Sequence, residues 1–337
     1  MSDLPLISVI TPSYNCGNYI SRLLESVLGQ SYPNIEMFVC DDGSTDNTKE
    51  IVCSYEEKFS RRNYKLTYLY QKNSGQSVAI NYLLKKVNGE YLVWPDADDF
   101  YSSSDAIKKM YDALKNTDDS VSMVQTDFYI VEDNTLKIKE HYKISDSRNW
   151  FEDCLLVKNN YQFCPGKYMA KMEIIDRTIP KRNIYTEKDA GQNWQIMLPL
   201  LFKRKCLIIN QPLYSVVERK SSHSRTKGKI EFKLSRIQTY ENTILDTLIT
   251  IPEISEEDRE YFQNLVKEKY IDEKFNIAVQ TGNRKLINKF YFEKKNLGNV
   301  NKIDNLKKNF PLEFRFYNYI KRCIRFAVRK FRSFLCK

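Results

Sequence analysis

The chain has 337 residues, 42% of them hydrophobic, which is enough for a sizeable core and excludes wholesale disorder. Its formal net charge is +10, but eight cations and no acid lie between Arg315 and Lys337, so the rest is nearly balanced and no nucleic-acid partner is implied. Eight cysteines without a C-x-x-C pair, no apolar run near the roughly 20 residues of a membrane span, and no N-terminal signal pattern lead to the expectation of a cytoplasmic protein with reduced thiols.

Residues 6–11 read as a short strand ended by Pro12, and Ile20, Leu23, Leu24, Val27 and Leu28 recur at helical spacing. Residues 35–40 form a second strand running into the turn-rich stretch 41–46, where Asp46 can cap the next helix. Residues 65–70 are a third strand, 73–75 a turn and 77–87 a helix. Tyr91, Leu92, Val93 and Trp94 then run into Pro95 and the acids Asp96, Asp98 and Asp99. A continuous apolar run reads as a strand buried on both faces, and Pro95 cannot extend its ladder. The alternation predicts a parallel sheet with crossover helices. In such a sheet the segments following strands one, two and four share the carboxyl edge, where open α/β sheets bind ligands. Three crowded carboxylates call for a cation, and oxygen ligands suit Mg²⁺ or Mn²⁺. Alone the pattern fits a solvated acidic turn equally well. Its convergence with residues 11–15 and with Asp41 and Asp42 predicts a nucleotide site with a metal beside the diphosphate.

Further on, residues 105–116 read as a helix, 121–131 as a strand, 132–134 as a hairpin turn into 136–142, and 150–157 as a helix. The aromatic-rich stretch 159–172 faces the acceptor in such folds, or packs as ordinary core. Residues 194–203 form a helix. Residues 230–249, 258–270 and 275–292 show helical apolar spacing, separated by Pro252, Gly282 and the Asn-rich stretch 296–305. In the tail, Phe316, Ile320, Ile324, Val328 and Phe331 recur every three to four residues among the eight cations. This describes a basic amphipathic helix suited to an anionic membrane surface, or one packed on the domain with a solvated basic face.

The first hundred residues resemble a family-2 glycosyltransferase of the GT-A fold, of the type that builds bacterial surface polysaccharides such as capsule. The matching motifs, in the family's order, are Val-Ile-Thr-Pro-Ser-Tyr-Asn at 9–15, Asp-Asp-Gly-Ser-Thr-Asp at 41–46, Asn-Ser-Gly-Gln at 73–76 and Asp-Ala-Asp-Asp at 96–99. The likeness covers roughly residues 5–220. It implies an α/β domain with a Rossmann-like, mostly parallel sheet over 1–228; beyond the likeness, the apolar spacing marks a helical extension over 229–303 and the basic helix over 304–337. It also implies inverting transfer of a sugar from a nucleotide-diphosphate donor, a uridine one, to a lipid-linked glycan on the inner face of the cell membrane. By this resemblance Thr11 and Tyr14 lie around the nucleobase, and Asp42 or Asp41 receives the base N–H. Gln76 lies beside the diphosphate, Asp96 touches ribose and metal, and Asp98 is the main metal ligand.

Two departures stand out. The family's cation after the glycine turn is absent from Ala79-Ile80-Asn81, leaving the metal or Lys72 to meet the phosphates. Where a Glu-Asp pair supplies the catalytic base, this chain has Gln192 and Asn193. An amide is no base at neutral pH, so the role passes to Asp189, then Glu187, with Asn193 able to bind an acceptor hydroxyl. The loop 221–227 is similar to one that closes over the diphosphate. There His223 is a candidate third metal ligand and Arg225 a phosphate clamp.

Overall fold

The computed structural model describes residues 4–147, 149–186, 190–219, 230–314 and 317. The chain divides into two compact units, Met1–Thr226 with Asn242–Glu260, and Lys227–Glu241 with Tyr261–Lys337.

The first unit opens with β1 (Ile7–Ser13), α1 (Ile20–Leu28), β2 (Ile35–Asp41), α2 (Thr48–Ser54), α3 (Glu56–Arg61), β3 (Lys65–Tyr70), α4 (Gln76–Leu84) and β4 (Tyr91–Val93). These are the predicted elements, with one shift: β1 runs through Pro12 to Ser13, since a proline near a strand's end costs a single ladder donor. β1 pairs in parallel with β2 and β4, and β2 with β3. Every residue of β1 and β2 is buried, as a sheet covered on both faces requires. Ile7, Val9, Met37 and Val39 join the core built with Leu23, Leu24, Val27, Val52 and Phe59, while α4 packs against β1 and β2.

At the amino edge of this sheet a buried carboxylate sets the register. Glu36 accepts from the Ser8 hydroxyl at 2.6 Å and from the Asn88 N–H at 2.7 Å, and Gly89 N–H donates to Ser8 Oγ at 2.9 Å. Glu36 thus ties β1, β2 and the turn into β4 together. Substituting Glu36→Gln keeps the shape but removes the charge behind these bonds. Chemical denaturation is expected to show a loss of about 1–2 kcal/mol, and an unchanged midpoint would refute the assignment.

The sheet continues as β5 (Phe100–Tyr101), α5 (Ala106–Leu114), β6 (Val121–Glu132), β7 (Ile138–Tyr142), α6 (Trp150–Leu156), β8 (Tyr168–Lys171), α7 (Met172–Thr178), α8 (Gln192–Leu201) and β9 (Lys205–Glu218). The strand order is β3-β2-β1-β4-β8-β6-β9-β5, with β7 on β6 as the expected hairpin. Three strands escaped the sequence reading, the two-residue β5 among them. β8 lies within the aromatic-rich stretch and runs antiparallel between β4 and β6. β9 carries Pro212 and meets β6 through register shifts around Asp127, so it lacks clean alternation.

The second unit holds α10 (Glu256–Thr281), α11 (Arg284–Asn296) and α12 (Lys302–Asn309), preceded by α9 (Ile230–Thr250), which belongs to both units. α10 is continuous where two helices were expected. The break falls at Gly282, whose φ of 72° suits glycine at a helix end. Phe275, Ala278, Ile287 and Phe290 form its small core. Lys294 is buried between Asp304, at 2.5 Å, and Asp272, at 2.7 Å, and Asp304 also closes a capping box with Asn301. Beyond Tyr317 the expected basic helix lies outside the described residues. Among those residues no helix is long and apolar enough to cross a membrane.

Candidate active site

At the carboxyl edge of the parallel strands three loops are laced together. Asn15, in the left-handed region at φ 50°, accepts from Thr45 N–H at 2.9 Å, and its own N–H donates to Ser44 Oγ at 2.8 Å. Asp46 accepts from Gly17 N–H at 2.9 Å and from Thr48 N–H at 3.1 Å, so it joins the loops after β1 and β2 rather than serving as a simple cap. Gly43 has φ 79°, and a Cβ there would lie 2.7 Å from Asn73 N, which leaves glycine as the fitting residue.

Asp41 accepts from Ser44 N–H at 2.7 Å and from the Tyr68 hydroxyl at 2.8 Å. Asp42 takes three donors: the Gln71 amide at 2.7 Å, Ser74 N–H at 2.8 Å and Gly75 N–H at 2.9 Å. A carboxylate offers about four acceptor positions, so roughly one remains for a ligand. Asp42 therefore shapes the glycine turn that leads into α4, whatever else it contacts. Tyr14, 46% exposed, and Tyr70, 61% exposed, stand free at the same edge. The register places Tyr70 beside Asp41, an aromatic face the sequence reading did not single out.

Thr11 donates through its hydroxyl to the Pro95 carbonyl at 3.1 Å, binding the end of β1 to the segment carrying the acids. From the head of α4, Gln76 reaches Asp96 at 3.5 Å. Asp98 is paired with Arg219, whose guanidinium also lies over the Tyr19 ring at 4.8 Å. Asp99 is buried and accepts from Val217 N–H at 2.9 Å, so it ties the acids to β9 and does not cap α5. The last turn of β9 thus reaches this site twice, through the Val217 backbone and the Arg219 side chain.

Enclosure by protein raises the Asp96 and Asp99 carboxyls; the Asp98 charge adds to the rise, and Arg219 opposes it. Three acids against one guanidinium leave an excess of negative charge that a divalent ion would offset. Their hard oxygens suit Mg²⁺ or Mn²⁺, with Asp98 and Asp96 as the holding groups. Among the described residues no three His, Cys, Asp or Glu side chains form a complete metal cage, so phosphate oxygens or groups outside that set would complete it.

Of the other predicted residues, Glu187, Asp189, His223 and Arg225 lie outside the described residues. Asn193 stands partly exposed at the second position of α8. Gln192 is buried and its carbonyl oxygen has no hydrogen-bond partner among the described residues, so a glutamate there would bury a charge that those residues do not compensate. Trp194 fixes this helix to α6 by donating to the Cys154 carbonyl at 3.0 Å. Asn81, in the motif that lacks the family's cation, makes two bonds to the Ile184 backbone: Nδ2 to its carbonyl at 2.8 Å, and its N–H to Oδ1 at 2.7 Å. Lys72 is exposed on the loop before α4.

A mostly parallel sheet with acids at the end of β4, beside laced loops after β1 and β2, defines an open α/β domain with a polar site at the carboxyl edge of its strands. Residues 8–177 match the family described as Glycosyl transferase family 2, and the chain belongs to that family. It is 42% identical over 97 residues to an uncharacterized glycosyltransferase of Rickettsia typhi, covering 29% of this chain and 28% of that one. It is 43% identical over 106 residues to a Bacillus subtilis protein named for teichuronic acid biosynthesis, TuaG, covering 32% and 41%. The chain thus spans less than half the length of these relatives. Among solved structures, Staphylococcus aureus TarS 1–349 in complex with UDP-GlcNAc superposes with a TM-score of 0.56 at 17% identity, over 83% of this chain and 82% of that one. The mannosyltransferase PcManGT of Pyrobaculum calidifontis, in complex with GDP-Man and Mn²⁺, superposes with a TM-score of 0.51 at 16% identity, over 91% and 84%. The fold is the GT-A fold.

Proposed function

We propose that this protein transfers a sugar from a nucleotide-diphosphate donor, a uridine one, to a lipid-linked glycan in the assembly of a bacterial surface polysaccharide. The observation that carries this reading is the convergence of Asp96 and Asp98 with Thr11, Asp41, Asp42 and Gln76 on one sheet edge. The nucleotide sugars bound by TarS and PcManGT, and the Mn²⁺ in the latter, support a donor site with a divalent ion. When bound, that ion supplies a Lewis acid for the leaving diphosphate. Tyr14 and Tyr70 offer ring faces to the base, and Asp41 and Asp42 hold the loop that meets it. Gln76 and Arg219 face the phosphate side. Asp189 deprotonates the acceptor hydroxyl, Glu187 is the second choice, and Asn193 orients that hydroxyl. His223 and Arg225 close over the diphosphate.

The domain boundaries proposed are 228 and 303, with the basic helix holding the protein at the cytoplasmic face of the membrane. In support, Ile303, Leu306, Phe310 and Leu312 are each more than half exposed, next to Lys302, Lys307 and Lys308 and ahead of the eight-cation tail. Incubating the full chain with UDP- and GDP-sugars and Mn²⁺ is expected to release nucleoside diphosphate slowly without acceptor, and EDTA should stop it. Binding of UDP with no turnover of any donor would replace the enzyme by a non-catalytic sugar-nucleotide binder. The amides at Gln192 and Asn193 motivate that second reading.

A further inference from the structure

Between β6, β7 and the stretch 144–167 lies a cavity of about 420 Å³ with an unusual floor. Its wall includes Trp150 and Tyr161, whose rings meet edge to face at 6.3 Å, and the amides of Gln125, Asn159 and Gln162. Its floor is Lys167, buried to 1% exposure. The Lys167 ammonium makes no hydrogen bond or ion pair among the described residues. Three rings lie around it, with centroids of Tyr168, Phe128 and Tyr161 at 4.8, 5.5 and 6.0 Å, and Asp127 and the sulfurs of Cys154, Cys164 and Cys206 are near enough to act on its charge. Burial pushes this ammonium down to about 8, so it remains a cation at neutral pH.

The acids near the cavity form no ion pair with that charge. Glu140 and Asp146 are exposed at the rim, and Asp153 already accepts from Ser147 Oγ at 2.5 Å and Asn159 Nδ2 at 2.8 Å. Asp127 is buried but takes Ile144 N–H at 2.8 Å and faces His141 at 3.2 Å. A buried cation with no hydrogen bond or ion pair among the described residues is costly to keep, and it is the arrangement an arriving anion would complete.

Leu92 pairs with Ala170 across the antiparallel β4–β8 ladder, and the turn 165–167 ahead of β8, which carries Lys167, packs against β4. The Trp94 and Tyr168 rings are stacked at 5.8 Å, as that register requires. Lys167 is therefore one strand over from the segment that carries Asp96 and Asp98. A second cavity, of about 1000 Å³, shares Ile144, Asp146 and Trp150 with the first and adds Lys203 and Lys205.

We propose that this cavity is the acceptor-side subsite and that Lys167 pairs there with an anionic group, carboxylate or phosphate, carried by the acceptor sugar. The proposal rests on the transferase reading above. Trp150 and Tyr161 give the sugar ring an apolar face, and the amides bind its hydroxyls. The larger cavity gives the following sugars a path with further cations.

The test uses the full chain, p-nitrophenyl β-glucuronide, glucose 6-phosphate and p-nitrophenyl β-glucoside as probes, with UDP binding measured in parallel. The glucuronide or the phosphate is expected to bind about ten- to a hundredfold tighter than the glucoside, and Lys167→Met should erase that preference while leaving UDP affinity unchanged. The two anionic arms tell a carboxylate from a phosphate. Gln162→Glu, at an exposed position on the rim, should weaken the anionic probes more than the glucoside and so reduce the preference, and it serves if the lysine variant does not fold. Equal binding of all three probes, an undiminished preference in Lys167→Met and Gln162→Glu, or a loss of UDP affinity in Lys167→Met would overturn the subsite. Failure of the transferase reading itself shows separately, as absent donor hydrolysis in the unsubstituted chain.

Discussion

Asp98→Ala is expected to lower donor turnover roughly a thousandfold and to abolish its response to added Mn²⁺, with the fold intact. The size follows from the role: a metal-held carboxylate at the leaving diphosphate supports several kcal/mol of charge stabilisation. The fold should survive because Asp98 is partly exposed and its ion pair among the described residues is to Arg219, whereas Asp99 makes the bond into the β9 backbone. Asp98→Asn keeps the volume and should fall between the two. Nucleotide release measured across a Mn²⁺ titration decides it. A variant with the same activity and the same metal dependence would remove Asp98 from the site.

Arg219→Ala should have two effects of opposite sign. Arg219 is the cation already seated on Asp98, and its flat guanidinium lies over Tyr19. Removing it deprives the leaving diphosphate of a cation, so kcat/KM for the donor is expected to drop about ten- to a hundredfold. It also frees the Asp98 oxygen it occupies, so the apparent Kd for Mn²⁺ should tighten. Arg219→Lys should recover only part of the loss, because an ammonium has neither the planar fork nor the stacking face. Titrating Mn²⁺ and donor separately distinguishes the two effects. Weaker Mn²⁺ binding in Arg219→Ala would show instead that the arginine helps to build the metal site.

The donor half of the molecule was legible because its information is local. A strand buried on both faces writes itself as an apolar run, and the acids that end it fall at the same edge by topology alone. Asp41, Asp42, Asp96 and Asp98 could therefore be placed before any coordinates. The rest depends on pairing between distant segments. Lys167 becomes notable only once β8 is known to run antiparallel beside β4, and Arg219 only once β9 continues the sheet as far as Glu218. Pro212 and the shifted register near Asp127 hid that strand. In the helical unit the periodicity was right in kind but could not reveal that residues 271–274 continue α10.

The pair of bonds between Asn81 and Ile184 imitates one rung of a β-ladder, with a side-chain amide in place of a strand. α4 then works as a strut. Its first residue, Gln76, leans on the nucleotide-sugar edge, and five residues later Asn81 grips the chain just before the stretch leading to α8. One short helix thus ties the acid-bearing edge of the sheet to the segment that precedes α8, so a change at Asn81 is felt at both ends of it.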